Sequence, residues 1–112
     1  MNRPQIQTAI PKRRYQLGDF SVVVLGEITS DEAIDYRYVM AMVQEGQSEP
    51  CLYVTASKVA PDDYLLRLIA PSMDRELDIS PLWRDLDAFC EQALSLAQQA
   101  MGLKDEYPHR MM

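Results

Sequence analysis

Little in this sequence could make or break bonds, and the spacing of what there is narrows the choice further. The one histidine, His109, sits in Tyr107-Pro108-His109-Arg110-Met111-Met112. An imidazole there is expected to be exposed, whereas a Ser-His-Asp or Cys-His nucleophile needs an imidazole held against its partners. Cys51 and Cys90 are the two thiols. Neither lies in a spacing that gathers metal ligands, alone or with His109, so no metal site is expected. They are expected to be free, buried thiols in a reducing compartment, and folded geometry decides whether they approach each other. Carboxylates cluster at Asp31-Glu32 with Asp35, at Asp62-Asp63, and at Asp74, Glu76 and Asp78. Acid–base catalysis needs two carboxyls whose surroundings separate their pKa values. These acids fall in turns and at edges, where solvation is the expected state. With four glycines and no phosphate-cradling loop, no cofactor is implied.

The arginines and tyrosines say more. Arg37 and Arg67 fall mid-strand among apolar residues, where a charge must be paired or exposed. One arrangement is an outward arginine lying over a tyrosine; the other is an anion anchor within a groove. Tyr36, Tyr38 and Tyr53 are expected on neighbouring strands, with Met40 and Met42 beside them. An aromatic sheet face near arginines can stack single-stranded bases. It equally makes a sheet-to-sheet dimer, since tyrosine is enriched at protein interfaces.

Charge separates those two uses. Residues 1–14 hold Arg3, Lys12, Arg13 and Arg14 and no acid, while residues 15–112 hold the other 7 basic and all 17 acidic side chains, a balance of −10. Such a body repels phosphate backbones. Lys12-Arg13-Arg14 is a basic run too short to define a nucleic-acid site by itself. No apolar run approaches the length of a membrane-spanning helix, and Met1-Asn2-Arg3-Pro4-Gln5-Ile6-Gln7 lacks a signal peptide's apolar stretch. The expected location is cytoplasmic.

These side chains need elements to position them. Prolines at 50, 61, 71 and 81 divide the chain into spans of one strand and one turn. The chain reads as β from Lys12, with Gly18-Asp19 as a kink, bulge or tight turn. Phe20–Ile28, Ile34–Val43, Cys51–Lys58 and Tyr64–Ala70 follow as strands, with Arg75–Ile79 as a short edge that turns Leu77 and Ile79 inward. Strict alternation puts Ile34, Tyr36, Tyr38, Met40 and Met42 on one face, and Val39, Ala41 and Val43 on the other. Ser80 and Pro81 suit the N-cap and first position of a helix. Leu82, Leu86, Phe89, Ala93, Leu96 and Ala100 then recur at helical spacing, and Gly102-Leu103 suits its end.

The expected architecture is α+β in a single domain: an antiparallel meander of four or five strands with one C-terminal helix packed on one face. Residues 1–12 form a mobile or docked arm, 13–79 the sheet, 81–101 the helix and 103–112 a tail. The second sheet face is too apolar for water and so marks an interface. The leading functional expectation is a non-enzymatic homodimeric module that binds an unidentified protein partner through Tyr36, Tyr38, Met40, Met42 and Tyr53. One alternative is a single-stranded nucleic-acid binder using Tyr36, Tyr38, Arg37 and the Lys12–Arg14 run. Another is a domain gripping a small anion with Arg37 or Arg67.

Overall fold

Hairpin follows hairpin along most of this chain. The computed structural model describes residues 2–112. Six strands, β1 (Thr8–Leu17), β2 (Phe20–Thr29), β3 (Asp35–Gln44), β4 (Leu52–Ala60), β5 (Asp63–Ala70) and β6 (Met73–Ser80), pair antiparallel in chain order. A short β7 (His109–Arg110) returns to the free edge of β1, giving one sheet of seven strands in the order β6-β5-β4-β3-β2-β1-β7.

The antiparallel sheet with a single helix is as expected, and the strand count is higher. Gly18, at φ 57, closes a two-residue turn with Asp19, so one β stretch becomes two full strands. That left-handed angle is one that glycine adopts without the steric penalty of a Cβ. Strand β1 begins at Thr8, inside the segment expected to be an arm. Strand β6 is as long as β5, and an extra residue, Leu77, sits opposite no partner between the Leu66–Asp78 and Arg67–Glu76 pairs. This bulge keeps Leu77 against the core while Ile79 turns out to water, 58 % exposed.

The helix also starts later than its spacing suggests. Ser80 caps a turn of 3-10 helix over Pro81–Arg84, accepting from the Leu82 N–H. Asp85 then takes extended angles and caps α1 (Leu86–Ala100), its carboxylate accepting from the Ala88 N–H at 2.9 Å. Leu82 is consequently exposed, and the buried stripe of α1 is Phe89, Cys90, Ala93, Leu94 and Ala97. Gly102 is left-handed at φ 67, and the Leu103 N–H returns to the Gln98 carbonyl at 2.8 Å, satisfying an orphan acceptor of the last turn.

α1 lies on one sheet face, over Leu17, Val22, Val24, Met40, Met42, Leu52, Val54 and Leu66, all buried. At the centre of this layer Phe89 meets Tyr38, with ring centroids 5.3 Å apart. The opposite face carries a second apolar cluster of Tyr36, Val39, Ala41, Tyr53 and Ile69.

Candidate interaction face under the N-terminal arm

The five residues expected to share a face are divided between the two. Tyr36 pairs with Ser57 and Tyr38 with Ala56, so Arg37 is an extra residue in β3, a β-bulge. The bulge places Tyr38, Met40 and Met42 beneath α1 and leaves Tyr36 with Tyr53 on the opposite face. Strict alternation fails at that one residue.

The opposite face is roofed in part by the chain's own start. Residues 2–7 cross it without forming a regular strand, from Gln7 at the end of β2 to Asn2 at β6. The Gln7 N–H donates to the Thr29 carbonyl at 2.8 Å, and the Gln5 N–H donates to the Glu32 carboxylate at 2.7 Å. The Ser30 hydroxyl donates to the Gln5 carbonyl, and the Gln7 side chain donates to Asp31. Further along, Arg3 pairs with Glu49 in the β3–β4 turn, and the Asn2 amide donates to Asp74 of β6 at 2.7 Å. Between these ties Pro4 is buried and Ile6 packs on the Tyr36, Val39, Tyr53 cluster. Pro4 and Ile6 alternate with Gln5 and Gln7, too short a pattern to set an element period in the sequence.

Exposed ties of this kind contribute about 0–1 kcal/mol each. Ordering one residue costs about 1–2 kcal/mol, so apolar contact by Pro4 and Ile6 must supply the balance. Beside the arm a cleft of about 420 Å3 stays unfilled, lined by Arg3, Gln5, Glu32, Ile34, Arg67 and Ile69 among others.

Two polar pairs shape that cleft. Arg67 grips Asp74 with both Nε (2.6 Å) and Nη2 (2.9 Å). The guanidinium, aided by Asn2, holds the Asp74 carboxyl below its usual range, and Asp74 in turn raises Arg67. The Tyr36 hydroxyl donates to Glu32 at 3.0 Å. Burial, then the neighbouring carboxylate, pushes the Tyr36 phenol up to about 12. A phenol raised in the folded state stabilises the fold fully below its unfolded value near 10. That contribution is lost as pH climbs through about 12. In an alkaline titration followed by tyrosinate absorbance, Tyr36→Phe is therefore expected to remove one late-titrating phenol. An unchanged late phase in the variant would refute the assignment.

The remaining basic residues are all engaged or scattered. Arg37 lies over the Tyr38 ring, 5.0 Å from its centroid, and its Nε reaches the Arg84 carbonyl at 3.3 Å, which the Tyr38 hydroxyl also approaches. Of the two arrangements open to it, Arg37 adopts the arginine lying over a tyrosine. Lys12 pairs with Glu27 on β2. Arg13 crosses to Asp87 at the start of α1, beside Tyr15 and Cys90, and Arg14 is exposed. The run therefore splits toward different neighbours and forms no single patch. Cys90 is buried and Cys51 half-buried, both free, and burial raises both thiols. His109 is exposed on β7. Among the described residues no helix is long and apolar enough to cross a membrane. Compared with models of known families, with curated proteins and with solved structures, the chain has no match.

Proposed function

We propose that the protein is a non-enzymatic protein–protein interaction module that works as a homodimer, with the sheet face opposite α1 as its contact surface. The observation that supports this reading is the incomplete roof over that face. The arm covers its β3–β5 part, while over β1, β2 and β3 a groove of about 350 Å3 stays open between Arg14, Gln16, Ser21, Val23, Val43 and Met111. An apolar groove rimmed by polar side chains is the usual character of a protein contact. The setting that suits two free thiols is the reducing cytoplasm.

The anion-binding reading has less support, because Arg67 and Arg3 at the cleft already hold carboxylates. Base stacking has less still, with Tyr38 beneath α1 and Tyr36 and Tyr53 buried. Light scattering at tens of micromolar is expected to give twice the 12.8 kDa chain mass. Val43→Glu, which places a charge in the open groove, is expected to return the single-chain mass while leaving the fold intact. A single-chain mass for the unaltered protein overturns the homodimer.

A further inference from the structure

The donors that the arm sends to acidic side chains find carboxylates at three separate parts of the rim. Asn2 reaches Asp74 and Arg3 reaches Glu49, while the Gln5 N–H reaches Glu32 and the Gln7 amide reaches Asp31. These four acceptors come from β6, the β3–β4 turn and the β2–β3 loop. The floor between them is apolar and receives Ile6, and Pro4 is buried. A carboxylate rim over an apolar floor selects an extended segment rich in hydrogen-bond donors, with a cation near one end and apolar side chains at alternate positions. The arm has that pattern, but it fills the site incompletely, leaving vacant a cleft walled on the sheet side by Glu32, Ile34, Tyr36, Arg67 and Ile69.

We propose that the groove under the arm is a binding site for an extended basic–apolar segment of a partner protein, and that residues 2–7 are its built-in competitor. This rests on the interaction-module reading and names the partner's chemistry. The strongly acidic body outside the arm favours such a segment's approach. A partner segment whose side chains also reach into the vacant cleft, toward Ile34, Arg67 and Ile69, makes contacts the arm does not and so displaces it. The resident arm lowers the partner's apparent affinity by the fraction of molecules in which the groove is closed.

The test uses the full chain and a labelled peptide of the arm's own sequence, Asn-Arg-Pro-Gln-Ile-Gln-Thr-Ala. In fluorescence anisotropy the peptide is expected to bind full-length Ile6→Asp protein saturably, and at least tenfold more weakly to the unaltered protein. Exchanging the peptide's arginine for glutamate, or raising salt, is expected to weaken binding severalfold. The exposed double variant Asn2→Asp, Arg3→Glu frees the arm without touching the floor and serves as the second receptor. No saturable binding to either variant, with native circular dichroism retained, overturns the proposal, as does equal binding of the charge-reversed peptide. If the peptide instead converts a dimer to single chains, the groove's occupant is the arm of a second copy and the partner assignment fails. Solution mass on the same samples separates the two readings. A dimer that ignores the peptide defeats only this site, and a monomer that binds it defeats only the homodimer.

Discussion

Replacing Phe89 by alanine is expected to lower the unfolding free energy by about 3–5 kcal/mol, the range for deleting a buried aromatic side chain. Phe89 has no exposed surface and is the largest residue of α1's buried stripe, set there with Leu94 and the small Cys90, Ala93 and Ala97. Small neighbours let the helix approach the sheet closely, so few side chains can move into the space that the ring vacates. The ring also meets Tyr38 in a tilted contact at 5.3 Å, which adds to the loss beyond area alone. Urea unfolding of the variant beside Leu82→Ala measures the contrast. Leu82 is 59 % exposed on the 3-10 turn and is expected to shift stability by about 0.5 kcal/mol or less. Similar midpoints for the two variants would mean that α1 is not seated on Tyr38.

Those two residues also illustrate what the sequence could and could not display. Leu82 and Phe89 belong to the same helical spacing, and Ser80-Pro81 is a sound start signal. That signal is used, but by a 3-10 turn, because Asp85 takes extended angles and opens α1 with a second cap. Two start signals five residues apart satisfy local chemistry equally well, and tertiary packing chooses between them. The strand spans were legible for a similar reason, since prolines and turn residues bound them. The second sheet face was visibly too apolar for water, but its roof was not visible. A short arm with two apolar residues has no element period to detect, and its ties run to acids as distant in sequence as Glu49 and Asp74. The bulge at Arg37 was hidden more completely. Alternation of large side chains runs unbroken through Tyr36, Tyr38, Met40 and Met42, and an extra residue in a ladder leaves no mark on composition. Arg37 itself was the one hint: a charge mid-strand must be paired or exposed, and the bulge exposes it.

The bulge makes the sheet respond very differently to two deletions of equal length. Removing Arg37 leaves Tyr36 and Tyr38 adjacent, which ordinary alternation places on opposite faces, where they already are. The Tyr36–Ser57 and Tyr38–Ala56 pairs become consecutive rungs of a regular ladder. The loss is the contact of Arg37 over the Tyr38 ring and one hydrogen bond to Arg84, about 1–2 kcal/mol together. Removing Val39 shortens β3 by the same amount with the opposite result. With both ends held by their hairpins, the bulge is absorbed and Arg37 moves into the place of Tyr38, beneath α1 and against Phe89. Tyr38 moves into the space of Val39, a fully buried position. An unpaired guanidinium in an apolar layer costs several kcal/mol. Forcing a tyrosine into a valine's volume adds about 1–3 kcal/mol. Together these approach the whole stability of a domain this size, about 5–15 kcal/mol. The expected result is a cooperative melt and native near-ultraviolet circular dichroism for the Arg37 deletion, and loss of both for the Val39 deletion. If both deletions unfold the chain, or both are tolerated, Arg37 is not the residue at which β3 changes phase. Only a bulge at that position makes the charged residue dispensable and the small apolar one indispensable.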